Sequence, residues 1–156
     1  MVKALQIVGA KMEAIIKACC ISEKKGTLKH EVDKVVLKPN HGIVGDAHAG
    51  DWHRQVSLLS VDSVKKLQSK ISFELKPGAF AENILIESGI VLYELPVGTI
   101  MTIGTAKCEV TQIGKECHMD CEIRRQTGDC VMPREGIFVK VLLEGEAKPG
   151  DKVVVL

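Results

Sequence analysis

Rings are scarce in this chain of 156 residues: aromatic side chains make up 3%, with one Trp, one Tyr and three Phe. Too few flat faces are available to stack the bases of single-stranded RNA or DNA. An excess of either charge is also missing. Lys plus Arg number 21 against 20 Asp plus Glu, a net +1, so no global field draws in a phosphate backbone or an anionic bilayer, and any anion site is local. No apolar run approaches the roughly 18 residues of a membrane span. The opening MVKALQIVGAKMEAIIK has no long apolar stretch followed by a small-residue cleavage site. These absences predict a cytoplasmic protein with neither nucleic acid nor membrane as partner. Without a secretion signal, the six cysteines are expected to be thiols rather than disulfides.

What is there is the composition of an ordinary folded domain: 46% hydrophobic, 26% charged, with 14 Gly and 5 Pro. At this length one hydrophobic core suffices without a covalent or metal staple. Short apolar runs at 13–21, 31–37, 55–59, 83–86, 99–103, 107–112, 136–143 and 152–156 alternate with glycine-rich turns. That rhythm predicts a mainly β chain forming a barrel or sandwich. One helix is expected after Ser60, a good N-cap, because Val61, Val64 and Leu67 share one face beside Lys65, Lys66 and Lys70. A second short helix is expected over 117–126, with Gly128 just past its end. Residues 1–11 read as an N-terminal extension and 12–156 as a single domain.

Four segments carry chemistry. In 42–50, GIVGDAHAG, closely spaced glycines place Asp46 and His48 in a loop followed by His53 and Arg54. Such a loop can turn several polar groups toward one cavity, bind a metal through two His and an Asp, or be a solvated turn. In 77–84, PGAFAENI, Glu82 and Asn83 stand among small residues, where Asn83 faces a ligand or closes a turn on its own backbone, while Phe80 reads as core. In 114–130, Lys115, His118, Arg124 and Arg125 surround Cys117 in sequence. Nearby cations favour thiolate over thiol, which makes Cys117 the candidate reactive sulfur. Cys117, Cys121, Cys130 and His118 could instead hold zinc, although paired C-x2-C knuckles are missing. A Cys117–Cys121 redox pair is a further alternative. Cys19, Cys20 and Cys108 lie in apolar runs and read as small core residues. Lastly, Arg134 in 132–138, MPREGIF, can offer a fork to a phosphate or carboxylate, or pair with a surface acid.

Taken in order, ISEKKG, GIVGDAHAG followed by HRQVSLL, PGAFAENI, LPVGT, EVTQIGKECH and MPREGIF resemble the MOSC domain, named after the C-terminal region of molybdenum-cofactor sulfurase. The likeness runs from about Ile16 to Leu156 and is nearest to the short stand-alone bacterial members. It implies a distorted closed β-barrel with one or two short helices and a cleft for the molybdenum cofactor, molybdopterin. By motif position, Cys117 matches the cysteine that ligates molybdenum in reductase relatives and is thought to carry a persulfide in sulfurase relatives. Asp46, His48, His53, Arg54, Glu82, Asn83 and Arg134 are the implied cofactor-binding positions. Glu116 stands where larger relatives commonly carry Arg, which changes the charge beside the sulfur.

The resemblance implies a protein of cofactor maturation, sulfuration or delivery, whose partners are molybdenum-cofactor biosynthesis proteins or molybdoenzymes. This chain carries no pyridoxal-phosphate desulfurase part, so a cysteine desulfurase is the implied sulfur donor. A sulfurtransferase working through a Cys117 persulfide, or a small molybdenum-dependent reductase of N-hydroxylated compounds, is the enzymatic alternative. A zinc- or thiol-stabilised structural protein is the remaining one.

Overall fold

The computed structural model describes residues 12–25, 27–115 and 132–156. Eleven strands are formed within them: β1 (Glu13–Ile21), β2 (His30–Val32), β3 (Val35–Lys38), β4 (Gly42–Ile43), β5 (Val56–Ser60), β6 (Ile84–Ile86), β7 (Ile100–Ile103), β8 (Ala106–Ile113), β9 (Ile137–Leu143), β10 (Gly145–Ala147) and β11 (Lys152–Val155). Helix α1 spans Val61–Gln68, a 3-10 turn spans Leu92–Glu94, and a four-residue helix α2 spans Met132–Glu135.

The large sheet runs β11-β7-β8-β9-β5-β6-β1-β2, and β11 also pairs with β1. Seven strands therefore close a barrel, with β2 hung on the outer end of β1. Closure is possible because β1 is long enough to serve several neighbours. Its start faces β11 (Glu13 opposite Val154) and its end faces β2 (Cys19 opposite Val32). Its middle faces β6, with a register shift between Ile16 and Ala18. Such a bulge bends a strand around the barrel corner. All barrel pairings are antiparallel except β5 with β6, which are joined through α1, as a parallel pair needs a crossover.

Period-two alternation sorts the side chains. Ile16 and Cys19 on β1, Val56 and Leu58 on β5, Ile84 and Ile86 on β6, and Ile137 and Val139 on β9 fill the barrel. Ala18 and Cys20, Leu59, Leu85 and Phe138 point the other way and meet Val61, Leu67, Ile71, Leu75 and Phe80 of α1 and the loop after it. Strand β5 is thus buried on both faces. Ser60 caps α1, its Oγ accepting from Asp62 N at 3.2 Å.

The expected run at 31–37 is two strands rather than one. The chain leaves the barrel at Asp33 and Lys34, and β3 joins a separate three-stranded sheet with β10 and β4. The expected helix at 117–126 and the extension at 1–11 lie outside the described residues. Among the described residues no helix is long and apolar enough to cross a membrane.

Candidate functional site

The site begins with the outward positions of three adjacent strands. On β5 the alternation that sends Val56 and Leu58 inward turns Ser57 outward. Its partner across the antiparallel ladder to β9 is Phe138. On the other side, Asn83 stands immediately before β6. These three side chains form the floor of a hollow of about 130 Å³ on the barrel wall.

Asn83 is locked into that floor. Its Oδ1 accepts from Ser57 N at 3.0 Å and Ser57 Oγ at 3.2 Å, while its Nδ2 donates to Cys20 O at 3.0 Å. It stitches β1, β5 and β6 together, and its side chain closes no turn on its own backbone. Glu82, next to it, is 1% exposed and does not line the hollow. Its two carboxylate oxygens accept from Gly78 N at 2.7 Å and Phe80 N at 3.0 Å. Burial pushes the Glu82 carboxyl up from the ordinary range, and those backbone N–H groups with Lys29 oppose the shift. The turn held in this way presses Gly78 against the Lys29 backbone. Gly78 has φ +90°, and a Cβ there would lie 2.1 Å from Lys29 O, so only glycine fits.

Lys29 and the 44–54 loop make one wall. Lys29 and Asp46 form an ion pair at 2.6 Å with side chains 1% and 0% exposed. Asp46 also fastens the loop, accepting from Ser22 N at 3.0 Å and His48 N at 3.2 Å. Lys29 Nζ lies 2.9 Å from His48 Nδ1. Burial, then the Lys29 charge, lower the His48 pKa from its ordinary 6.5, against the pull of Asp46. Further along the loop, the Arg54 guanidinium lies over the Trp52 ring at 4.6 Å and 5.7 Å from the Phe138 ring, a stacked arrangement that suits its flat, weakly hydrated cation. Trp52 is steadied by Nε1 donating to His48 O at 2.9 Å. Lys115, just past β8, completes the rim with Nζ 5.9 Å from the Phe138 ring.

The hollow is cationic and, among the described residues, no carboxylate lines it. Arg54 Nε is buried and has no hydrogen-bond partner among them. A buried donor of this kind is costly unless something accepts from it. The arrangement is suited to an oxyanion.

Of the positions singled out by sequence, His48, Arg54 and Asn83 reach the hollow and Asp46 stands directly behind it. His53 does not. It is exposed in a neighbouring groove beyond Trp52, with Nε2 2.9 Å from Gln112 Oε1. Arg134 is exposed on α2 and does not line the hollow either. The metal alternative for Asp46, His48 and His53 fails on geometry: the first two are held by Lys29 and the third faces another groove. No group of three or more His, Cys, Asp or Glu suited to a metal occurs among the described residues. Cys117, His118, Cys121 and Cys130, and with them the zinc and redox-pair alternatives, lie outside those residues. Cys19, Cys20 and Cys108 are fully buried, as expected of core residues. Burial pushes the Cys19 and Cys108 thiols up to about 12 and raises Cys20 as well, so none is a thiolate near neutral pH.

Lys29, Trp52, Ser57 and Phe138 were not legible as site residues. Lys29 follows Leu28 with no motif around it, Trp52 takes its place through the fold of the 44–54 loop, and Ser57 and Phe138 acquire a role only through the register of strands far apart in sequence.

A barrel of this topology, with a cation-lined hollow on its wall fed by a glycine-spaced loop, defines the class. The family model described as the MOSC domain matches residues 45–154, and the chain belongs to that family. Its fold is similar to that of YuaD from Bacillus subtilis, with a TM-score of 0.76 and 19% identity over 93% of this chain and 96% of that one. YiiM from Geobacillus stearothermophilus superposes with a TM-score of 0.67 and 17% identity over 92% of this chain and 75% of that one. For YiiM from Escherichia coli the values are 0.65 and 16%, over 93% and 70%. At such identities the likeness concerns the fold. No curated protein matches the sequence.

Proposed function

We propose that the chain binds the molybdenum cofactor or its molybdopterin precursor by the phosphate end, and serves its maturation, sulfuration or delivery through Cys117. The observation that carries this reading is the buried, unpartnered Nε of Arg54 in a hollow free of carboxylates among the described residues. That donor set fits a phosphate: Arg54 offers a rigid fork, Lys115 a second cation and His48 a ring nitrogen. The volume of about 130 Å³ suits a phosphate group rather than a whole pterin.

Cys117 follows Lys115 by two residues in the sequence. A thiolate two residues along the sequence from a lysine of the cationic rim suits a ligand or sulfur carrier. The cofactor, when bound, supplies a redox-active metal centre. The chain's own residues neutralise the phosphate, exclude water from the stacked Arg54, Trp52 and Phe138 wall, and hold the polar floor rigid through Asn83.

The deciding experiment is elemental analysis of protein produced in a host that makes the cofactor. Molybdenum should accompany the wild-type protein and be lost from folded Cys117→Ser and Arg54→Met. Molybdenum unchanged in Cys117→Ser overturns the ligand role, and zinc in its place supports the structural alternative. Mass spectrometry after incubation with a cysteine desulfurase and cysteine separates the sulfur-carrying role, which requires one added sulfur on Cys117.

A further inference from the structure

We propose that Lys29, anchored by Asp46, is a positioning residue that fixes His48 in one tautomer, with its proton on Nε2, and so makes it a neutral hydrogen-bond donor for an oxyanion in the hollow. In naming what the Nε2–H meets, the inference rests on the reading above. The tautomer itself does not depend on it.

A lysine ammonium has three N–H groups and no acceptor. Lys29 Nζ has three acceptors within reach: Asp46 Oδ1 at 2.6 Å, His48 Nδ1 at 2.9 Å and Ser22 Oγ at 3.3 Å. Its donors are therefore used up inside the protein, and although it borders the hollow it has none to give a ligand. The contact with Asp46 holds it as the ammonium, since a carboxylate buried at that distance needs a positive partner. Against an ammonium, His48 Nδ1 can only accept. A ring that accepts at Nδ1 and remains neutral carries its hydrogen on Nε2.

His48 Nε2 has no hydrogen-bond partner among the described residues, while its ring borders the hollow. The charged groups that act on the ring are Lys29, Lys115 and Lys25, which disfavour the imidazolium, and Asp46, which favours it. Asp46 is already paired with Lys29, so the balance keeps the ring neutral. Half-buried and held in this way, His48 differs from an ordinary surface histidine, which can accept, donate or titrate. It donates only, and neither serves as a general base through Nδ1 nor ligates a metal there.

The test is NMR on protein labelled with 15N-histidine, with His48 assigned by a His48→Asn variant. At neutral pH the long-range proton–nitrogen correlations should show a neutral ring protonated at Nε2. A ring protonated at Nδ1, or an imidazolium, overturns the proposal. In Lys29→Met the removal of the ammonium should let both tautomers appear and shift the His48 titration to higher pH, because the pull of Asp46 is then no longer offset by Lys29. An unchanged His48 spectrum in folded Lys29→Met overturns the role of Lys29. Should that variant not fold, the double variant Lys29→Met with Asp46→Leu, which removes both buried charges, is read for the loss of the single tautomer. Inorganic phosphate added to uniformly 15N-labelled wild-type protein should move the His48 Nε2 and Arg54 Nε resonances together. Absence of that movement overturns the oxyanion reading and the donor role, and leaves the Lys29-set tautomer to be judged by the ligand-free spectra.

Discussion

At the scale of the residue, Glu82 shows how a side chain can serve a site without facing it. Both its oxygens accept from backbone N–H groups of its own turn. Glu82→Gln replaces one acceptor by an NH2 group that cannot accept, leaving one buried N–H unpaired. The expected cost is about 1–3 kcal/mol, read as a lower denaturation midpoint with an unchanged slope. His48 gives a dependence on acidity. Its folded pKa is lowered, so below its ordinary 6.5 the unfolded chain takes up a proton that the folded one refuses. Stability should fall as pH drops through that range. His30, whose pKa Glu23 raises, has the opposite sign, but both its side chain and that of Glu23 are more than half exposed and their pairing is screened. Melting temperature against pH should therefore be flatter in His48→Asn than in the wild-type protein between about pH 5 and neutrality.

At the scale of the element, the turn from Gly78 to Glu82 is the back support of Lys29. Gly78→Ala places a methyl group on the Lys29 carbonyl in a backbone region that side chains rarely adopt. The variant should be destabilised by more than the roughly 1 kcal/mol of a simple glycine replacement, and its His48 resonances should shift, since Lys29 has to move. Elements were the part of this protein most readable from its sequence. The runs at 13–21, 55–59 and 107–112 are strands to within a residue or so, and the Ser60 cap starts α1, because alternation and capping are local properties. Strands β4 and β10 are too short to show a period in the sequence. The site was legible only where loops carry it. His48 and Arg54 announce themselves through glycines and charge, whereas Ser57 and Phe138 become neighbours only once β5 and β9 are in register.

At the scale of the whole molecule, near-neutral net charge coexists with a locally cationic hollow, so anion binding should respond to specific ions more than to bulk salt. Anything that binds the folded state alone stabilises it by mass action, by about 2.7 kcal/mol at a hundredfold excess over its Kd. Inorganic phosphate is expected to raise the melting temperature of the wild-type protein and to have little effect on Arg54→Met, a comparison that differential scanning fluorimetry makes directly.

Strand β11 pairs with β7 along one edge and with β1 along the other, and it follows every other strand of the barrel in sequence. During synthesis the cylinder consequently has a slot until β11 emerges, flanked by two unsatisfied strand borders that invite pairing with other molecules. Removing 152–156 should leave the helix and most of the ladder able to form, yet yield a product that sediments as aggregates instead of remaining dispersed.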